Sequence, residues 1–280
     1  MNHTGIILLE HKEAKNPYQF MMTGTKIYSV EELSYYIYHN IYILTEEAFT
    51  FSLVKWMREE AGLSVLADKM QHLLLEGNDL KDIVTTILCS NDFYTEKEIK
   101  HLLDVIDEIS EYPLSQRRKL RADAYMNYRN YHRAAVEYEA IMKEEQKTVF
   151  SQEEIGDMLH NLGVAHVHIA SLQEACQEFK QAYTYNHRDE SLEYYLFALW
   201  LSRQDALFER ECIEYGVSKE RRQLILDKLR FVAVEAENLS IYRKLKELEG
   251  LKERGYVGEY YKGIDYILSR WKQEYKKDIG

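Results

Sequence analysis

Apolar residues recur every three or four positions along most of the chain, which is the spacing that places side chains on one face of an α-helix. The pattern is clearest between residues 155 and 182. One face is marked by Ile155, Leu159, Leu162, His166 and Ile169, and a second by Leu172, Ala175, Phe179 and Ala182. The sequence therefore predicts two consecutive amphipathic helices in this stretch.

Helix-start signals divide the residues before position 113 into five further helices. Each predicted helix begins at a Ser, Thr or Asp, the residue types that cap helix N-termini. The predicted helices run from Ser29 to Leu44, Thr45 to Ala61, Ser64 to Gly77, Asp79 to Cys89 and Thr95 to Glu111. Because the connecting loops are short, residues 29–112 are predicted to form an antiparallel helical array.

Helical patterns continue after Pro113, in pairs. The predicted helices are Leu114–Arg129, Tyr131–Lys147, the central pair capped at Ser151, Ser191–Arg203, Asp205–Tyr215, 218–254 with a kink at 238–239, and Glu259–Lys277. The last two are predicted to cap the array, giving an all-α fold.

Residues 1–28 are the least helical segment. Ile6–Glu10, Tyr18–Met22 and Thr25–Tyr28 have strand-like composition, and Thr23-Gly24 suits a turn. A small hairpin and a partly ordered arm are both compatible with this pattern. The predicted organisation is an arm or hairpin at 1–28, a helical array at 29–112, helical repeats at 113–216 and a helical cap at 217–280.

The central pair resembles a tetratricopeptide repeat (TPR), a helical motif found in many bacterial proteins. The resemblance rests on Leu162-Gly163, followed by Ala175, Phe179 and Ala182 at the family's spacing. A glycine inside a helix costs about 1 kcal/mol relative to alanine. We therefore expect Gly163 to be a point where a neighbouring helix approaches closely.

The resemblance extends over about residues 115–216. Ala122, Tyr125, Ala134, Tyr138 and Ile141 occupy equivalent core slots one repeat earlier, 41 residues before the central repeat rather than the usual 34. We therefore expect the second helix of that earlier pair to be about two turns longer. In the repeat that follows, Phe197 occupies the position of the small residue, so this repeat departs from the pattern.

The TPR resemblance implies a concave groove lined by the first helix of each pair. The implied peptide-binding lining is Lys119, Asp123, Met126, Asn127, His160, Asn161, Val164, His168, Tyr194 and Tyr195. Some family members clamp a peptide's C-terminal carboxylate with Lys, Asn and basic residues. Lys119 and Asn161 match that arrangement, whereas Asp123, Ser191 and Tyr195 depart from it. The lining therefore favours an extended peptide or a helix.

The formal net charge of −11 is unevenly distributed. Residues 217–280 contain 15 basic and 11 acidic residues and carry +4, so the rest of the chain carries −15. Nucleic-acid binding needs a basic footprint, so no nucleic-acid partner is expected.

No segment approaches the roughly 18 apolar residues of a membrane span, and the run at Ile6–Leu9 is too short for a signal-peptide core. Three cysteines without paired spacing favour a reducing, cytoplasmic location.

Candidate chemistry is sparse. His160, His166 and His168 share a predicted helix, but offsets of six and eight residues do not give the shared face that a metal site needs. No nucleophile motif or glycine-rich phosphate loop occurs. We therefore expect no catalytic residues, no metal and no cofactor.

Together these features favour a non-catalytic scaffold or adaptor that binds a protein or peptide. The candidate partners include a second copy of the same chain, which would make the protein a homo-oligomer. The alternative is a cytoplasmic peptide-sensing regulator, because some bacterial sensors hold signalling peptides in such a groove. Residues 1–216 are acidic, and no convincing helix-turn-helix pattern is present, so its output would go through protein contacts. A hydrolase on a helical scaffold lacks support from any motif.

Overall fold

The computed structural model of the protein describes residues 13–143 and 149–279, with side chains to residue 273. The described residues form fourteen α-helices and one two-stranded sheet, which confirms the predicted all-α helical array. A TPR-like solenoid stays a prediction. The chain divides into two compact units, residues 1–149 and 150–280, and the division falls inside the stretch predicted as repeats.

Among the described residues of the first unit, the predicted hairpin comes first. Strand β1, Tyr18–Gln19, pairs antiparallel with β2, Lys26–Ile27. Gly24 between them has φ +70°, a left-handed conformation that glycine adopts without steric cost. The ring of Phe20 stacks on Tyr36 with centroids 4.0 Å apart, so the hairpin contributes to the core. The strand predicted before these two, residues 6–10, lies outside the described residues.

Seven helices follow the hairpin in the first unit. They are α1 Val30–Asn40, α2 Phe51–Glu59, α3 Ser64–Glu76, α4 Leu80–Leu88, α5 Glu96–Glu111, α6 Leu114–Asn127 and α7 Tyr131–Lys143. The predicted helix from Thr45 to Ala61 is instead a short 3₁₀ turn, Glu46–Ala48, followed by α2. The predicted extension of α7 to residue 147 falls on residues 144–148, outside the described part.

Three of the five helix starts predicted before residue 113 have the expected side-chain cap. Thr45 accepts no capping hydrogen bond, and Ser64 is the first residue of α3 instead of its cap. The Ser29 hydroxyl accepts a hydrogen bond from the Glu32 amide, and Asp79 accepts one from the Asp82 amide. Thr95 forms a complete capping box with Glu98. These contacts satisfy amide groups that have no partner within the helix, so local sequence fixes where these three helices begin.

The core slots expected in the α6–α7 pair are occupied as predicted. All five of those residues are buried: Ala122, Tyr125, Ala134, Tyr138 and Ile141. Small residues at two of these positions leave room for the aromatic rings at two others. The pair therefore packs through the pattern of small and aromatic residues that the sequence showed.

The second unit contains the other seven helices. They are α8 Gln152–His168, α9 Leu172–Asn186, α10 Asp189–Leu201, α11 Asp205–Glu214, α12 Lys219–Glu237, α13 Ser240–Glu253 and α14 Val257–Ile279. Ser151 forms a capping box with Glu154 at the start of α8. The kink predicted at 238–239 is the break between α12 and α13.

Helices α8, α10 and α12 run parallel as neighbours. Between α8 and α10, Arg188 at the N-cap of α10 pairs with Glu153 at 2.6 Å, and His160 lies 3.1 Å from the hydroxyl of Ser191. Between α10 and α12, Asp189 pairs with Arg221 at 3.1 Å, and Glu193 pairs with Lys228 at 2.5 Å. Along each pair of helices, the residue numbers of the paired side chains increase in the same direction, which shows that the helices run parallel.

Candidate functional site

An open groove of about 860 Å³ lies between α10 and α12 in the second unit. Its walls are mainly aromatic and aliphatic. The lining residues are Glu193, Tyr194, Phe197, Trp200, Leu201, Arg203, Lys228, Leu229, Phe231, Val232, Ala233, Ala236, Glu237 and Tyr242. Large apolar pockets with a few polar groups at the edge are the usual form of a binding site.

The packing of α10 exposes its aromatic residues to this groove. Leu192, Leu196 and Leu199 of α10 are buried in the core of the second unit. Phe197 and Trp200 fall between these core positions on the helix and are only half-buried. Phe197, which occupies the small-residue position of the repeat pattern, therefore borders the groove instead of filling the contact between helices.

The α12 wall exposes large apolar side chains. Phe231 is 68% exposed and Val232 is 63% exposed. Ile225 and Leu229, on the same helix, are buried against α10 and its neighbours. Exposed apolar side chains that border one groove mark an interaction surface more specifically than isolated ones do.

Some charged side chains around the groove have partners within the protein, and one does not. Glu193 and Lys228 neutralise each other across the two helices. Tyr242 donates a hydrogen bond to Glu237 at 3.4 Å. Arg203, just beyond the end of α10, lies over the Trp200 ring at 5.9 Å and has no carboxylate partner in the described part of the chain. The groove therefore carries one cation that remains available to a bound partner.

The four predicted site residues of the first unit all lie on α6. Lys119 pairs with Asp123 at 2.7 Å, and the hydroxyl of Tyr138 also donates a hydrogen bond to Asp123. Met126 is half-buried and Asn127 is exposed. The carboxylate of Asp123 neutralises the ammonium of Lys119, so this arrangement does not form an anion clamp. A lining that continues across both units stays a prediction.

In the second unit, the structure brings two of the predicted residues together. The rings of His160 and Tyr194 lie 4.9 Å apart, and Tyr194 is also part of the α10–α12 groove. Asn161 and Val164 are half-buried, and His168 is exposed near the end of α8. Tyr194 therefore connects the predicted lining on α8 with the observed groove.

Tyr195, predicted to line the groove, lies in the core instead. It is only 3% exposed, and the ammonium of Lys180 lies 5.6 Å from its ring centroid. Burial, the charge of Glu211 and a hydrogen bond to Glu211 raise the pKa of Tyr195. Adjacent helical residues point about 100° apart, so only one of the two tyrosines can face the groove.

His160 makes a contact that resembles a catalytic pair but is structural. Its Nδ1 lies 3.1 Å from the hydroxyl of Ser191, which also accepts a hydrogen bond from Asn186 at 3.1 Å. Ser191 is 1% exposed, so its hydroxyl has no access for a substrate. Burial lowers the pKa of His160, which favours the neutral imidazole. These hydrogen bonds join α8, α9 and α10.

The other histidines of α8 do not form a metal site. His166 is buried in the predicted core slot and its Nδ1 lies 2.7 Å from the Glu178 carboxylate. Across the residues with described positions, there is no group of three or more His, Cys, Asp or Glu side chains placed to hold a metal ion. The His166–Glu178 pair instead joins α8 to α9.

Sequence reasoning missed the contribution of α12 to the groove. Phe231 and Val232 are adjacent to each other, and Leu224 and Val234 are also exposed on this helix. A helix with one buried stripe does not need apolar residues on its other faces. The excess of apolar residues on α12 was the sequence feature that could have indicated a binding surface on this helix. It does not identify the helix that forms the opposite wall of the groove.

Comparison with models of known protein families, with curated proteins and with solved structures finds no match. The TPR resemblance therefore rests on the residues quoted above. Among the helices whose residues are described, none is both long enough and apolar enough to cross a bilayer.

Proposed function

We propose that the protein is a non-catalytic scaffold that binds an amphipathic helix of a partner protein in the α10–α12 groove. The observation that supports this proposal most directly is the exposure of Phe231 and Val232 opposite Phe197 and Trp200. Aromatic and aliphatic anchors of this kind supply most of the binding energy at protein interfaces. The peptide-sensing regulator remains the alternative, since a signalling peptide could occupy the same groove.

The dimensions of the groove support a helix as its occupant. Its walls extend from Glu193 to Leu201 on α10 and from Lys228 to Glu237 on α12. At 1.5 Å per residue these walls are about 12–14 Å long, which corresponds to two or three helical turns. An amphipathic helix of that length presents apolar residues at positions i, i+3 or i+4, and i+7.

Charge adds one requirement for the partner. Glu193 and Lys228 already satisfy each other, so the middle of the groove selects for apolar side chains. Arg203 lies over the Trp200 ring and has no ion-pair partner among the described residues. The proposed partner helix therefore carries an Asp or Glu at the end that lies against Arg203, because a guanidinium binds a carboxylate in a two-point contact.

The test uses a display library of amphipathic helical peptides, selected against the full chain. Selected peptides should carry the apolar spacing and the terminal acidic residue described above. Phe231→Glu and Trp200→Ala should each weaken binding at least about 30-fold, as expected for central anchor residues. The matched control is Leu224→Glu, which adds the same charge at an exposed apolar position of α12 outside the groove.

Peptides that bind Phe231→Glu as tightly as the wild type would place the interaction surface elsewhere and contradict the proposal. Selected peptides that contain proline at every second or third position would indicate an extended occupant instead of a helix. That result would favour the peptide-sensing alternative.

A further inference from the structure

A second, smaller cleft of about 250 Å³ lies wholly within the first unit. It is bordered by the end of α1, the start of α4, the last two turns of α5 and the start of α6. Its lining residues are Ile41, Tyr42, Leu44, Thr45, Glu46, Asp79, Leu80, Lys81, Ile106, Asp107, Ile109, Ser110, Arg117 and Arg121. The cleft thus combines an apolar wall with several charged groups.

The charged groups of this cleft are satisfied by protein partners, with one exception. Lys81 pairs with Asp107, Arg121 pairs with Glu137, Glu46 accepts from the Leu80 amide and Asp79 accepts from the Asp82 amide. Arg117 is the exception. Its buried Nε has no hydrogen-bond partner, and its guanidinium has no ion pair with any described residue.

A buried guanidinium N–H without an acceptor is unfavourable, because it has lost its water without gaining a replacement. Native structures satisfy most such groups. Among the residues that line this cleft, Arg117 alone has an orphaned buried atom of this kind. Arg117 presents its donors in a planar fork that matches the two oxygens of a carboxylate. The guanidinium that lacks an ion pair and the cavity therefore occur at the same residue.

We propose that this cleft binds a carboxylate group attached to a short apolar chain, with Arg117 as the anion-binding residue. Leu44, Leu80 and Ile109 would contact the apolar chain. The carboxylates of Glu46, Asp79 and Asp107 also border the cleft and would repel a doubly charged anion. The site is therefore selective for a monoanionic carboxylate over phosphate. Such a group is present both on free short-chain acids and at the C-terminus of a peptide.

The test is calorimetric titration of the full-length protein with butyrate, N-acetyl-leucine, N-acetyl-leucine amide and inorganic phosphate. Butyrate or N-acetyl-leucine should bind with a Kd of about 1 mM, a reasonable affinity for so few atoms. The amide and phosphate should bind at least about tenfold more weakly. Tighter binding of N-acetyl-leucine would identify peptide C-termini as the source of the carboxylate, and tighter binding of butyrate would identify free acids.

Arg117→Met should weaken carboxylate binding at least about tenfold while keeping the side chain's length and apolar stem. Arg129→Met is the control, because Arg129 is exposed in the same unit and lies outside the cleft. Ser110→Trp provides a second variant. Ser110 is exposed at the edge of the cleft, so an indole there should block entry without changing the core.

Two results would overturn the proposal. One is the absence of binding by the wild-type protein to either carboxylate at roughly 10 mM. The other is an unchanged carboxylate affinity in both Arg117→Met and Ser110→Trp. Neither result depends on the α10–α12 groove, so the two binding proposals are tested separately.

Discussion

The ring of Phe179 lies directly against the backbone of Gly163. A Cβ added to Gly163 would stand 2.8 Å from the Cε1 atom of that ring, closer than van der Waals contact allows. Gly156, two turns earlier on α8, is in a similar position against Asn186, with a Cβ–Cβ distance of 2.6 Å. The expected close approach of a neighbouring helix at Gly163 is therefore confirmed, and that helix is α9.

The first prediction concerns this contact. Gly163→Leu should lower the free energy of unfolding by about 1–3 kcal/mol or more, because the added side chain must displace the Phe179 ring from a filled core. Chemical denaturation of the full chain measures the change. Gly250→Ala is the control, since the nearest atom to an added Cβ there is the mobile end of Arg254 at 4.0 Å. That control should gain stability of about 0.5–1 kcal/mol through helix propensity. Equal stability of wild type and Gly163→Leu would contradict the α8–α9 packing.

The second prediction concerns Glu211, whose side chain is only 4% exposed. Lys180 lies 2.8 Å away and Arg210 lies 3.4 Å away. Burial alone would raise the pKa of Glu211, but hydrogen bonds from Lys180, Arg210 and Tyr195 and the charge of Lys180 lower it. Lys180→Met should therefore cost about 1–3 kcal/mol, because a buried carboxylate loses its main partner.

The double variant Lys180→Met with Glu211→Leu should recover part of that loss, since it removes the unpaired charge as well. Lys246→Met is the control. Lys246 forms an exposed pair with Glu249 at 3.8 Å, and its loss should change stability by less than about 0.5 kcal/mol. If Lys180→Met were as mild as this control, the Lys180–Glu211 pair would not stabilise the contact between α9 and α11.

The third prediction concerns pH and His160. Burial lowers its pKa from 6.5; the charges of Glu190 and Asp157 act in the opposite direction, and Arg188 lowers it further. The unfolded chain therefore binds a proton at His160 more readily than the folded chain does. Its contribution to stability is complete above pH 6.5 and is lost as the pH falls below that value.

Denaturant titrations at about pH 7.5 and about pH 5.5 can measure this contribution. The drop in unfolding free energy on acidification should be smaller in His160→Gln than in the wild type. Replacement of the exposed His101 by Gln is the control for the loss of one imidazole. An identical drop in all three proteins would show that protonation of His160 is not coupled to folding.

The fourth prediction concerns the three thiols, all of which are free in the structure. Cys89 is exposed, whereas Cys176 and Cys212 are buried and burial raises the pKa of both. Iodoacetamide should therefore modify Cys89 in the native protein and reach the other two only after denaturation. Mass spectrometry of the modified peptides gives the result.

Dithiothreitol should leave the melting temperature of freshly purified protein unchanged, and a clear decrease would reveal a disulfide.

Local features of the fold could be read from the sequence because short-range chemistry determines them. Ser29, Thr95 and Ser151 cap helices through side-chain contacts with residues three positions along the chain. The small and aromatic slots of α6 and α7 also follow from helical spacing. The sequence therefore predicted most helix starts, the hairpin turn at Gly24 and the close contact at Gly163. Its prediction for residues 45–61 was wrong, because a 3₁₀ turn there precedes α2.

The candidate sites depended on contacts that helical spacing does not encode. Periodicity showed that Tyr194 and Tyr195 share a helix, but the packing of α10 against α9 and α11 decided which one is buried. Arg117 and Arg121 are one turn apart on α6 and look equivalent in the sequence. Only the folded chain shows that Glu137 pairs with Arg121 while the Nε of Arg117 has no acceptor among the described residues. The sequence by itself determined most of the helices and much of their capping, because those interactions act within one or two turns. The tertiary structure decided which side chains remain available for binding, because that depends on residues distant in the chain.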